Sequence, residues 1–166
     1  MKSIGNIIFE AAVVANIFHI IISILYSTLN IKNSIISGIF LFLIVVVWIV
    51  AGLRFSFKGK IQKESSILIF GIITLLPVMI LLIAGQIFQG SSLGASAGPY
   101  SMFFFIGAPI LLWNGPMAPV MSFFKDSNIY VQFDINIVMI YFLVFLGGFI
   151  GMKIKEKSIK SSKRIR

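Results

Sequence analysis

The chain has 166 residues, of which 58% are hydrophobic and only 11% are charged. Its mean hydropathy is +1.04, and a water-soluble domain of this length would have too few charged residues to cover so much apolar surface. The composition therefore excludes a soluble enzyme, a disordered chain and a soluble nucleic-acid-binding protein. We expect an all-α, polytopic membrane protein.

The residue counts also exclude several kinds of chemistry. The chain has no cysteine, one histidine and five acidic residues, so thiol chemistry is absent and most metal clusters lack ligands. The sequence contains no phosphate-binding glycine loop, dinucleotide fingerprint or Ser-His-Asp arrangement. We therefore expect a protein that is not an enzyme, has no catalytic residues and needs no metal or other cofactor.

Four apolar runs are long enough to cross a membrane as helices, since about 20 residues at a rise of about 1.5 Å span the hydrocarbon core. They cover residues 11–29, 35–53, 67–88 and 135–152. Pro77 lies near the middle of the third run and should kink that helix, freeing a backbone carbonyl. We expect residues 1–166 to form a single transmembrane helical bundle.

The segment between the third and fourth runs, residues 89–134, has a different composition. Within it, residues 99–124 are apolar enough to enter lipid but hold four of the chain's five prolines. A lipid-facing helix with breaks at that density would expose unpaired backbone groups. Asn114-Gly115-Pro116 is a turn signal inside this stretch. Three interpretations stay open: a re-entrant hairpin, a pair of interfacial helices forming an outer lid, or a fifth span.

The basic residues predict the orientation of the chain. The net charge of +9 is concentrated in the loop at residues 54–63 and in the tail at residues 153–166. Short cytoplasmic loops are rich in Lys and Arg, so both stretches should face the cytoplasm. An even number of crossings must then separate them, which favours four spans with both termini cytoplasmic and residues 89–134 outside. The tail should contact the anionic inner leaflet of the bilayer rather than nucleic acid.

The amino-acid bias of the chain suggests which membrane contains the protein. Isoleucine and lysine dominate over valine and arginine in the chain, a bias that we associate with AT-rich bacterial genomes. We therefore expect the multi-pass protein to lie in the cytoplasmic membrane of a bacterium.

The first apolar run carries a polar stripe. Asn16, His19 and Ser23 recur at spacings of three and four residues, which places them on one face of a helix. A polar face should turn away from lipid and toward other helices. His19, near the middle of the membrane, is either a proton carrier or ligand contact, or a neutral histidine whose hydrogen bond to a neighbouring helix stabilises the bundle.

Two further residues complete the ligand-binding candidates, which are Asn16, His19, Ser23, Glu10 and Asn114. Glu10 lies at the inner edge of the first span. It is either a carboxylate coupled to protons or cations, or an interfacial residue paired with Arg54 or Lys153. Asn114 belongs to the turn within the proline-rich stretch.

A pair of glycines near the end of the last span predicts a close helix contact. Gly147 and Gly151 are spaced to let another helix approach, either within this chain or in a membrane partner or second copy. The composition, the polar stripe and the proline-rich stretch leave two functional hypotheses.

The first is a component that binds or transports a small ligand or ion. The alternative is a non-enzymatic accessory, immunity-like or scaffold subunit that docks a larger membrane protein.

Overall fold

The computed structural model describes residues 4–29, 33–58, 64–89 and 107–164, and nearly all of these residues are helical. No β-strand occurs in these ranges, and the all-α prediction is confirmed. The elements are α1 (Ile4–Thr28), α2 (Ser34–Lys58), α3 (Glu64–Gln89), α4 (Ala108–Asn114), α5 (Ala118–Met121) and α6 (Ile129–Arg164). Single 3-10 turns, Gly115–Met117 and Ser122–Phe124, follow α4 and α5.

Four of these helices are long and apolar enough to cross a membrane, which confirms the four predicted transmembrane helices. Their apolar portions are Phe9–Thr28, Ser34–Phe57, Glu64–Ile87 and Ile129–Ser158. Helix α6 has 36 residues, which corresponds to about 54 Å at 1.5 Å per residue. Because the hydrocarbon core is about 30 Å thick, α6 must extend beyond it, and its last turns form part of the basic tail.

Two asparagines explain why α2 and α6 begin before the apolar runs do. Asn33 Oδ1 accepts hydrogen bonds from the backbone N–H groups of Ile35 at 2.8 Å and Ile36 at 3.4 Å. Asn128 Oδ1 accepts one from the N–H of Tyr130 at 2.9 Å. Such caps satisfy backbone donors that a helix leaves unpaired in its first turn. Each helix therefore starts directly after its capping asparagine, and α6 begins six residues before the predicted start (129 against 135).

The residues group into two compact units, and each long helix contributes to both. Unit 1 comprises residues 1–18, 45–74 and 139–166, and unit 2 comprises residues 19–44 and 75–138. The core of unit 1 includes Trp48, fully buried, and the stacked rings of Phe55 and Phe70, whose centroids are 4.1 Å apart. The predicted single bundle of residues 1–166 stays a prediction.

In unit 1 the backbones of α2 and α6 lie in direct contact at glycines. A Cβ atom on Gly147 would lie 2.1 Å from the carbonyl oxygen of Ile49, and one on Gly52 would lie 2.1 Å from that of Val144. Ser56 Oγ donates a 2.7 Å hydrogen bond to the carbonyl of Gly148. The close approach predicted from Gly147 and Gly151 is therefore made within the chain. Contact of these glycines with a partner or a second copy stays a prediction.

The proline-rich stretch belongs to unit 2. Helix α4 has seven residues and α5 has four, so neither reaches the roughly 20 residues that a crossing requires. Ile110, Trp113, Asn114 and Met117 are all buried. The glycine- and serine-rich residues 90–98, and residues 99–106 at the start of the proline-rich stretch, lie outside the described residues. The choice among a re-entrant hairpin, interfacial helices and a fifth span stays a prediction.

Candidate polar site

His19 is buried in unit 2 against the end of α4. Its Nε2 atom lies 2.8 Å from the carbonyl oxygen of Trp113, and its ring stacks on the Trp113 indole with centroids 3.7 Å apart and planes 11° apart. Because a carbonyl oxygen can only accept, Nε2 must carry the hydrogen. The hydrogen bond and the stack together fix the orientation of the imidazole.

The turn after Trp113 continues along the same face of α1. A Cβ atom on Gly115 would lie 3.3 Å from Cδ1 of Tyr26, so the glycine allows the turn to approach this helix. Ser23 lies between His19 and Tyr26 on α1, one turn from each. It is fully buried.

Asn114 connects this turn to α6. Its Nδ2 donates to the carbonyl of Ile110 at 2.9 Å, within its own helix. Its Oδ1 accepts a 2.9 Å hydrogen bond from Nδ2 of Asn136, which is also fully buried. We call His19, Ser23, Trp113, Asn114 and Asn136 the polar cluster. It joins α1, α4 and α6 within unit 2.

Asn136 was not among the residues predicted from the sequence. The available signal was its position between Ile135 and Ile137 at the start of the last apolar run. A polar residue inside a membrane span normally faces protein and has a partner there. The partner is Asn114, and only the tertiary structure identifies it.

Two buried polar atoms of the cluster have no hydrogen-bond partner: Ser23 Oγ and Asn136 Oδ1. The serine hydroxyl can donate and accept, whereas the amide oxygen can only accept. Burying such a group unpaired costs about 1–3 kcal/mol. Asn136 is bonded to Asn114 of the Trp113–Gly115 turn, and Ser23 lies on the face of α1 that meets this turn at His19 and Tyr26. The cluster therefore contains one unpaired hydroxyl, which can donate and accept, and one unpaired acceptor.

The other two predicted site residues lie in unit 1, outside the cluster. Asn16 Nδ2 donates to the carbonyls of Ala12 at 2.9 Å and Thr74 at 3.0 Å, which ties α1 to α3. Glu10 forms an ion pair with Arg54 at 2.9 Å, one of the two pairings that the sequence favours.

Comparison of the chain with protein-family models, with curated proteins and with solved structures finds no match.

Proposed function

We propose that this membrane protein binds a small neutral polar solute at the polar cluster. The observation that carries the proposal is the pair of buried, unpaired atoms, Ser23 Oγ and Asn136 Oδ1. A solute with one donor and one acceptor would satisfy both. The cluster contains no carboxylate, and a metal cation would find too few oxygen ligands. A neutral solute is therefore favoured over an ion.

The depth of the cluster supports a role in binding or passage through the membrane. His19 is the eleventh of the 20 residues in the apolar portion Phe9–Thr28, and the Trp113 indole stacks directly on it. An element that reaches mid-span with broken backbone is tolerated where it is buried in protein or lines a cavity. This favours the re-entrant interpretation of the proline-rich stretch, with Asn114 at its tip.

Cysteine labelling tests whether solutes reach the cluster. The chain has no native cysteine, so Ser23→Cys can be treated with the small neutral reagent methyl methanethiosulfonate in the folded protein. Ser56→Cys is the matched control, because Ser56 is equally buried but is paired with the Gly148 carbonyl. We expect the Ser23→Cys variant to be labelled and the control to be protected. Water is a common partner of buried polar groups. Because the reagent is larger than water, labelling of Ser23→Cys would show that the site also admits larger molecules.

The alternative function, an accessory, immunity-like or scaffold subunit that docks a larger membrane protein, needs no solute path. If the Ser23→Cys variant folds and is as unreactive as the Ser56→Cys variant, the solute-binding proposal is wrong and the docking role is favoured. Both proposals leave the protein without catalytic chemistry.

We also propose that both termini face the cytoplasm of a bacterial cell. Of the described helices, only α1, α2, α3 and α6 are long enough to cross, and two crossings separate the basic loop after α2 from the basic tail. A cysteine placed at Asn128, in the turn before α6, should therefore react with a membrane-impermeant maleimide in intact cells. Ser162→Cys should react only after permeabilisation. Labelling of Ser162→Cys in intact cells would contradict this orientation.

A further inference from the structure

A groove between α1 and α2 lies on the surface of unit 1. Its volume is about 230 Å³, and its lining is apolar except at one end, with Ala11, Ala15 and Phe18 on α1 facing Val46, Val50 and Arg54 on α2. The two alanines leave the space, and Phe18 and Val50 are 54% and 49% exposed. Because both helices span the membrane, this exposed apolar surface faces lipid rather than water.

The ion pair between Glu10 and Arg54 fixes the direction of the groove. It sets residue 10 of α1 level with residue 54 of α2, so the groove runs from that level toward Phe18 and Val46. Seven residues of helix separate Ala11 from Phe18, which corresponds to about 10 Å. The groove therefore begins at the charged end of α2 and extends toward the middle of the span.

The Arg54 end of the groove is basic. A Cβ atom on Gly151 would lie 3.2 Å from the carbonyl of Leu53, so the end of α2 is level with residue 151 of α6. The following residues of α6 include Lys153, Lys155 and Lys157. The Nζ atom of Lys155 is buried and has no hydrogen-bond partner. Lys153 is paired with Glu156 at 3.5 Å, so the positive charge that lines the groove itself is that of Arg54.

We propose that the groove binds an acyl chain of an anionic phospholipid, with its phosphate held at the Arg54 end. Arginine donates two parallel hydrogen bonds to phosphate oxygens, and Glu10 holds the guanidinium at the mouth of the groove. A polar solute would find an apolar lining. The proposal is independent of solute binding at the polar cluster.

Native mass spectrometry tests the groove with the intact protein in nanodiscs of equal phosphatidylglycerol and phosphatidylcholine. Val50→Phe fills the groove from its exposed side, whereas Val138→Phe adds the same ring at an exposed site in unit 2, where Val138 is 65% exposed. We expect the wild type and the Val138→Phe variant to retain a phosphatidylglycerol molecule. The Val50→Phe variant should retain about tenfold less, a loss equivalent to about 1.4 kcal/mol. Equal retention by the two variants would overturn the groove as the binding site.

The headgroup is tested separately with Arg54→Gln, combined with Glu10→Gln so that no carboxylate is left unpaired. Lys125→Gln is the control, because Lys125 is exposed in unit 2. We expect the double variant to lose its preference for phosphatidylglycerol over phosphatidylcholine and the control to keep it. An unchanged preference in the double variant would show that Arg54 does not hold the phosphate.

Discussion

Gly147→Ala should lower the free energy of unfolding by about 3 kcal/mol, the upper part of the range for overpacked cores. The added Cβ would lie 2.1 Å from the carbonyl oxygen of Ile49, a distance at which the α2 backbone must move. Backbone of a helix cannot turn aside as a flexible side chain can, so α2 and α6 would separate and lose contacts along their length. Gly52→Ala makes the same contact from the other helix, 2.1 Å from the Val144 carbonyl, and should have a similar effect.

The matched control for this prediction is Gly38→Ala, because a Cβ on Gly38 would meet nothing within 4 Å. In a helix interior, alanine is favoured over glycine by up to about 1 kcal/mol. Reversible unfolding in detergent micelles with added dodecyl sulfate, followed by far-ultraviolet circular dichroism, measures all three variants. If the Gly147→Ala variant is as stable as the Gly38→Ala variant, α2 and α6 are not packed as described.

The spans could be predicted from the sequence because hydropathy is a local property. The lengths of the helices could not be predicted in this way. Helix α6 begins after the Asn128 cap, before its apolar run, and extends into the basic tail. The glycine spacing predicts that a helix approaches Gly147. It does not identify that helix, because the contact with Ile49 of α2 joins residues far apart in the chain.

The polar stripe on α1 illustrates the same limit at the candidate site. Helical periodicity correctly turns His19 and Ser23 toward protein. It also suggests that Asn16 acts with them, whereas Asn16 is bonded to Thr74 in unit 1. The turn signal predicts Asn114 as a candidate. Its partner Asn136 was missed, because a side-chain hydrogen bond between two elements leaves no periodic pattern in the sequence.

Ser23→Ala should raise the free energy of unfolding by about 1 kcal/mol, whereas Ser56→Ala should lower it by about 1 kcal/mol. Both serines are fully buried, and both substitutions remove only a hydroxyl oxygen. Ser56 Oγ donates to the Gly148 carbonyl at 2.7 Å, so its loss removes a hydrogen bond. Ser23 Oγ has no partner, so its loss removes only the cost of burying an unpaired polar group. The same unfolding assay, without added solute, measures both variants.

Opposite signs of these two changes in the free energy of unfolding would distinguish a binding residue, Ser23, from a structural one, Ser56. A protein gains nothing in stability from an unpaired buried hydroxyl, and such costs are typical of positions that serve function. If Ser23→Ala lowers the stability as Ser56→Ala does, a group within the chain already satisfies Ser23 Oγ, and Asn136 Oδ1 alone is too little to hold a solute. If Ser23→Ala raises the stability and Ser23→Cys is labelled, the Ser23 hydroxyl destabilises the fold at a position that solutes reach. A binding site requires this combination.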